Sequence, residues 1–226
     1  MKITLDEIQS RIAAYADQDE SVSNISATDY SLRRKYINMA LNEWQEAYDW
    51  QALFTEYNVL ISTATGNASV ALPSDFRKLA SFPLITWDGV TTQAFPDTRP
   101  QTASQYASTD KRVSILGNPQ DNYTLRIYGV TLSSGASVKV PYYMSAQSLA
   151  SPANIAEIPN PDYLVKRSLA YLLEAREDAR FPEMKQESER ILGTMIDYEN
   201  VFGEGSADDR VKTVDETRYG DRRWGE

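Results

Sequence analysis

The chain has 226 residues, 42% of them hydrophobic, which is enough to bury the core of one large domain or two small ones. It carries 23 Lys and Arg against 32 Asp and Glu, a net charge of −9. That balance argues against a protein that binds nucleic acid through its phosphates, because such binding needs clustered cations. It is compatible with a protein whose surface DNA passes without binding. Cysteine and histidine are absent, which excludes disulfides, thiolate catalysis, zinc sites with the usual spacings and Ser-His triads.

The N-terminal sequence "MKITLDEIQS" lacks the apolar run of a signal peptide. No segment approaches the run of about 20 apolar residues that a membrane-spanning helix needs. We therefore expect a soluble protein that is made in the cytoplasm and has no membrane partner.

The first quarter of the chain has the periodicity of two helices. In "TLDEIQSRIAAYADQD", Thr4 and Glu7 fit a capping box, and apolar residues then recur on one helical face. A polar loop leads to a longer helix over about residues 28–52, which Ser26 or Thr28 can cap. Trp50, near its end, is predicted to enter the core.

The pattern changes to period-two alternation between about residues 55 and 145, where Gly, Pro, Ser and Thr become frequent. Turn signals such as "TGN", "WDG" and "SSGA" separate the alternating runs. We predict a small antiparallel sheet or sandwich, with residues 96–110 as a long exposed loop. The residues predicted to share a face within each run are Val113 and Ile115; Tyr123, Leu125 and Ile127; and Val138, Val140 and Tyr142.

Two further helices are predicted near the end of the chain, with Asn160 as a cap and Pro161 and Pro182 in first turns. The buried face predicted for the first of them consists of Leu164, Leu169, Leu172 and Leu173. The predicted fold class is α+β and mainly helical: a four-helix domain interrupted by an antiparallel β insertion, followed by an extended C-terminal tail. The predicted segments are a helix pair (1–54), the β-rich insertion (55–150), a second helix pair (151–203) and the tail (204–226).

With cysteine and histidine absent, only carboxylate, lysine or tyrosine chemistry remains open, and carboxylates are plentiful on the predicted helices. A pair of them could act as in glycosidases, but charged helix residues usually lie on the solvated surface, and nothing singles out two of them. No phosphate-binding glycine loop or calcium-loop spacing occurs. We therefore predict that the protein is not an enzyme and that it binds no cofactor and no metal ion. The carboxylates considered are Glu43, Glu46, Glu174, Glu177 and Asp178.

The tail has too few apolar residues to offset the entropy of ordering itself. It nevertheless ends in "VDETRYGDRRWGE", whose arginines, tyrosine and tryptophan are the residue types enriched at interface hot spots. We predict that this segment docks onto a partner rather than serving as a loose terminus. The predicted partner-binding residues are Arg218, Tyr219, Arg222, Arg223 and Trp224.

Several short phrases, taken in order, carry a family resemblance. "GNASVALPSDF" is similar to a turn motif of phage adaptor proteins. "PYYM" resembles the last strand of their β region, and "IAEIPNPDYL" resembles the segment that leads into their third helix. Over roughly residues 28–200 the chain resembles the head-to-tail adaptor proteins of tailed bacteriophages. The matching residues are Gly66, Val70, Leu72, Pro73, Asp75, Phe76, Tyr142, Tyr143, Ile158, Pro159, Glu177 and Asp178.

The resemblance implies a virion structural protein of the neck. It implies a homo-oligomeric ring of twelve-fold symmetry that connects the portal protein to a tail or nozzle protein. DNA would pass through its lumen without specific binding, and a negatively charged lumen would help it to do so. The tail would dock on the portal or on a neighbouring subunit.

Two other classes of function stay open at the level of the sequence. The β insertion, with its many tyrosines, could be a carbohydrate- or ligand-binding module on a helical scaffold. A carboxylate-based hydrolase is the third reading, but no specific pair of residues supports it.

Overall fold

The structure is a computed structural model that describes residues 3–17, 25–61, 64–87, 89–96, 112–118, 122–132 and 135–203. These residues fall into two compact units. The residues up to Ala52 and those from Ala146 onward form the helical unit, and Leu53–Ser145 form the β unit.

Four α-helices lie among the described residues of the helical unit: α1 (Leu5–Asp17), α2 (Ala27–Ala47), α3 (Asp162–Ala175) and α4 (Phe181–Gly203). Helix α3 is central, because it packs against each of the other three. Eight of its residues are buried, including the leucines at 164, 169, 172 and 173 that its periodicity predicted. Two short strands, β1 (Ile3–Thr4) and β11 (Ile155–Ala156), pair antiparallel in the same unit.

The starts of α1 and α2 follow the predicted capping chemistry. At α3 the N-cap residue is Pro161 rather than the predicted Asn160, although the Asn160 side-chain oxygen accepts the Asp162 N–H at 3.1 Å. The Thr4 N–H donates to the Glu7 carboxylate at 2.7 Å, and the Glu7 N–H donates to the Thr4 hydroxyl at 3.2 Å, which confirms the capping box. Ser26 caps α2 by accepting the Asp29 N–H at 3.1 Å. These local bonds fix where each helix begins before any tertiary packing is considered.

Helix α3 ends in a left-handed residue that is not glycine. Glu177 has φ 54°, its N–H donates to the Glu174 carbonyl at 3.0 Å, and the next N–H, from Asp178, donates to the Leu173 carbonyl at 2.9 Å. This is the Schellman pattern, in which glycine is the usual left-handed residue because it has no Cβ.

Replacing Glu177 with glycine is therefore expected to stabilise the protein by about 1 kcal/mol, since the left-handed penalty disappears. Glu174→Gly is the control, because it places glycine at an exposed position inside the helix and should destabilise the protein by about 1 kcal/mol. Denaturant unfolding of both variants measures the difference. Equal losses in the two would contradict the assignment of strain to Glu177.

The β unit contains two sheets among its described residues. In the first, the strand order is β2-β10-β5-β6, and β4 also pairs with β10; in the second it is β3-β9-β8-β7. All pairings are antiparallel except the two-residue pair of β7 and β8. The strands are β2 (Phe54–Ile61), β3 (Ala64–Ala71), β4 (Phe76–Leu79), β5 (Leu84–Trp87), β6 (Val90–Gln93), β7 (Phe95–Pro96), β8 (Arg112–Asn118), β9 (Asn122–Leu132) and β10 (Ala136–Met144).

A single hydrophobic core joins these two sheets. The predicted inward positions are confirmed: Val113, Leu125 and Ile127 are buried, and Ile115 and Tyr123 pack against the same core while remaining partly accessible. On β10 the predicted set is buried as well. Period-two alternation therefore identifies the core faces of β8, β9 and β10 correctly.

The predicted class, a mainly helical four-helix domain with a β insertion, is wrong. Alongside four helices, the described residues form eleven strands in three sheets, one of which (β1–β11) belongs to the helical unit. The error has a physical cause: strands of two to four residues are too short to show a period, so β1, β4–β7 and β11 leave little trace in the sequence. Most of the predicted loop at 96–110 lies outside the described residues.

Candidate functional site

The residues predicted to bind a partner lie outside the described residues, which end at Gly203 in α4. These residues are Arg218, Tyr219, Arg222, Arg223 and Trp224. Within the described part of the chain, the candidate functional features are the residues of the family-like phrases, the ion pairs between helices, and the exposed apolar side chains.

The residues of the two family-like phrases in the β unit meet in space. The Tyr142 hydroxyl donates to the Asp75 carboxylate at 3.0 Å, and the Tyr142 ring stacks on Phe76 with 5.6 Å between ring centroids. The Phe76 N–H donates to the Pro73 carbonyl, which closes a turn, and the Asp75 carbonyl accepts the Ser145 N–H at 2.6 Å. Burial, with the Asp75 contact, raises the pKa of Tyr142 to about 12. The phrases therefore hold β4 against β10, which is a structural role.

A three-residue network ties α2 to α3. Arg167 donates two hydrogen bonds to the Glu43 carboxylate, at 2.6 Å from Nε and 3.1 Å from Nη2, and the Tyr171 hydroxyl donates a third. Tyr36 of α2 stacks on Tyr171 at 5.9 Å. Burial alone would raise the pKa of Glu43, but the hydrogen bonds from Arg167 and Tyr171 outweigh it and hold the pKa below its usual range.

Glu43 thus corrects the prediction that the helical carboxylates are solvated surface groups. It is a partly buried anion that stays ionised at neutral pH, which makes it a structural ligand of Arg167 rather than a proton donor. Glu46, Glu174 and Glu177 are exposed, as predicted. Asp178 is clamped by Arg180, whose hydrogen bonds lower the pKa of this carboxyl to about 2.

Glu43→Gln is expected to reduce the free energy of unfolding at pH 7 by about 1 kcal/mol, a modest value because the carboxylate is partly exposed. Because the folded-state pKa of Glu43 lies below its unfolded value, this stabilisation is present above the unfolded pKa of about 4.3 and disappears as the pH falls through the folded pKa. The difference between wild type and variant in chemical denaturation should therefore shrink as the pH is lowered below the unfolded pKa. A difference that persists undiminished there would contradict a charge-based contribution.

A second ionic cluster joins α1 to both α2 and α3. Asp17, the last residue of α1, accepts hydrogen bonds from Arg33 of α2 and, at 2.8 Å, from Arg176 at the end of α3. The Arg33 side chain is only 4% exposed, whereas the Asp17 side chain is 36% exposed, so only the arginine end of this pair is shielded from solvent. Burial would raise the pKa of Asp17, but the bonds from Arg176 and Arg33 lower it overall. The two networks together fix α1 and α2 against α3.

The third candidate feature is the set of exposed apolar side chains. The large apolar residues that are more than 60% exposed are Leu60 on β2, Val90 on β6, and Tyr198 and Val201 near the end of α4. The first two lie on the outermost strands of one sheet, and the last two lie close to the point where the tail begins. Single exposed apolar side chains are normal on protein surfaces, so these positions by themselves assign no binding site.

A comparison with protein-family models finds one match, described as SU10 adaptor protein, over residues 3–212. The chain belongs to the SU10 adaptor protein family. The match covers nearly the whole chain and confirms the resemblance to phage head-to-tail adaptors. No curated protein matches the chain.

Membership of the adaptor family implies a structural protein of the phage virion rather than an enzyme. The site chemistry agrees with this role, because the perturbed carboxylates of the adaptor are each committed to an arginine or a capping contact. Among the described residues no group of acidic side chains is arranged to hold a metal ion. In the same part of the chain, no helix is long and apolar enough to cross a membrane.

Proposed function

We propose that this adaptor forms a homo-oligomeric ring, twelve-fold by the resemblance, which joins the portal to a tail or nozzle protein in the neck of the virion. The observation that carries this proposal is the family match over residues 3–212, which spans both the helical unit and the β unit. The ring would surround the passage through which DNA leaves the head.

The charge of the chain supports a passage that does not bind DNA. Each copy carries a net charge of −9, so a ring of copies would present a strongly negative surface. Such a surface repels the phosphate backbone, whereas proteins that bind DNA present clustered cations to it.

Helix α4 is our candidate for the wall of this passage. It is the longest helix among the described residues, and it packs against α3. It contains five acidic and two basic residues, and most of its charged side chains are exposed or half-exposed. The acidic residues of α4 are Glu183, Glu187, Glu189, Asp197 and Glu199.

The tail is proposed to attach the ring to the portal. Segments that order only on binding cover large surfaces and use a few anchors, and aromatic and arginine residues are the most common anchors. The proposed anchors are Arg218, Tyr219, Arg222, Arg223 and Trp224.

Mixing the purified protein with the cognate portal ring and imaging the mixture by electron microscopy tests the proposal. We expect a second ring stacked on one face of the portal, and we expect no shift of duplex DNA by the protein alone at physiological salt. Portal rings that stay bare at saturating protein concentration would refute the connector role.

A further inference from the structure

Among the described residues, strand β6 is an open edge of the first sheet. It is the last strand in the order β2-β10-β5-β6. Just after it, the Ala94 N–H donates to the Pro83 carbonyl at 2.8 Å. Since backbone groups in an antiparallel pair alternate between facing the partner and facing away, the N–H and C=O groups of Thr91 and Gln93 point outward from the sheet.

This edge lacks the usual protection against strand pairing. Proteins normally block exposed edges with lysine, proline, bulges or a covering element. All four residues of β6 (Val90–Gln93) are exposed, none is charged and none is proline. The Val90 side chain is 63% exposed.

The opposite edge of the same sheet is β2. Over all eight residues of β2 its strand partner is β10, and the described residues place no strand on its other side. Leu60 on this strand is 76% exposed. The charged residue of β2, Glu56, is paired with Lys139 at 2.7 Å, so this edge is also close to electrically neutral.

We propose that β6 of one copy pairs with β2 of the next copy, so that the first sheets of neighbouring subunits join head to tail around the ring. This inference rests on the proposed ring. A contact between two different patches of the same chain generates a ring when the rotation between successive copies closes, and after closure every copy has both edges covered. The pairing also places a neighbouring strand beside Val90 and beside Leu60.

Charge and composition favour a second copy over other occupants. Copies with a net charge of −9 repel one another, so contact is least costly where two neutral strands meet. The tail of the chain offers only one short run of strand-forming residues, "VKTV" at 211–214, and charged residues flank it on both sides. A separate peptide partner would cover one edge and leave the other open.

Cysteine crosslinking tests the pairing, because the natural chain contains no cysteine. The test variant carries Thr91→Cys on β6 and Asn58→Cys on β2. The strand register places Thr91 in one row with Leu60, so both cysteines lie on the same sheet face. The control variant combines Thr91→Cys with Ser69→Cys, which lies exposed on the edge strand of the other sheet. Each is treated with a short bismaleimide, alone at high concentration and on portal rings.

We expect a ladder of covalent multimers from the test variant and none from the control. Rings on the portal without a ladder would overturn the strand pairing and leave the connector role intact. A ladder in solution with bare portals would support the pairing and remove the connector role, and the absence of both would overturn both. Dimers formed by Thr91→Cys alone would indicate a symmetric β6–β6 contact and overturn the head-to-tail arrangement.

A second pair of variants tests the backbone directly. Gln93→Pro removes an outward-facing N–H without removing a bond to β5, whereas Gln93→Ala keeps that N–H. We expect Gln93→Pro to unfold at the wild-type temperature but to form no rings on the portal. Gln93→Ala should form rings like wild type. Ring formation by a normally folded Gln93→Pro variant would contradict the proposal.

Discussion

A chain that ends at Gly203 is expected to fold normally and to lose its binding to the portal. The core residues that the structure describes all lie between Ile3 and Met195, so this truncation removes none of them. It does remove the arginine, tyrosine and tryptophan side chains that are proposed as anchors. Thermal unfolding followed by circular dichroism should be unchanged, while binding to immobilised portal rings should be lost.

A single substitution sharpens this result. Trp224→Ala should weaken portal binding by about 2 kcal/mol, or roughly 30-fold in Kd, which is the range of an interface hot spot. Thr213→Ala, in the same tail but without hot-spot chemistry, should bind like wild type. If the truncated chain bound the portal with full affinity, the tail would have no docking role and the ring contact would have to lie on the folded units.

The extent to which the sequence predicts the fold depends on the length of each element. The α1 capping box, the buried leucines of α3 and the inward faces of β9 and β10 all follow from local chemistry and periodicity. The pairing of Ile3 with Ala156 does not, because it joins two-residue strands that are far apart in the chain. Contacts of that kind are selected by tertiary packing, which leaves no periodic signal in either strand.

The same limit applies to the candidate site. Glu43 looks like any other helical carboxylate in the sequence, because its partner Arg167 lies 124 residues away. Likewise, Asp75 and Tyr142 belong to separate phrases, and the structure shows that they form one hydrogen bond. The open β6 edge was missed because its position depends on strand order, which the sequence does not specify. The uncharged run "VTTQ" after the "WDG" turn is the signal that could have indicated it.

The end of α2 illustrates how a correct burial prediction can accompany a wrong boundary. The helix was predicted to continue to about residue 52, but it ends at Ala47 and Tyr48 is extended. This change of direction brings Trp50 back onto the helix end, where its ring stacks on Trp44 with 5.1 Å between centroids. The Trp50 indole N–H donates to the Trp44 carbonyl at 2.6 Å, which satisfies one of the carbonyl groups left unpaired at a helix C-terminus.

Trp50→Ala is therefore expected to reduce the free energy of unfolding by about 3–5 kcal/mol, the usual cost of deleting a fully buried aromatic side chain. Trp50→Phe keeps a ring in the stack but loses the hydrogen bond to the Trp44 carbonyl, so its cost should be about 1–2 kcal/mol. Trp87→Ala, at a position that is 41% exposed, should cost clearly less than Trp50→Ala. Denaturant titration of the three variants gives the order.

The two Trp50 variants separate two ways in which this residue can act. If packing dominates, Trp50→Phe lies close to wild type and Trp50→Ala is strongly destabilised. If capping of the Trp44 carbonyl dominates, Trp50→Phe loses nearly as much as Trp50→Ala. Because both tryptophans are fully buried and stacked, packing is expected to dominate, and near-equal losses would contradict that expectation.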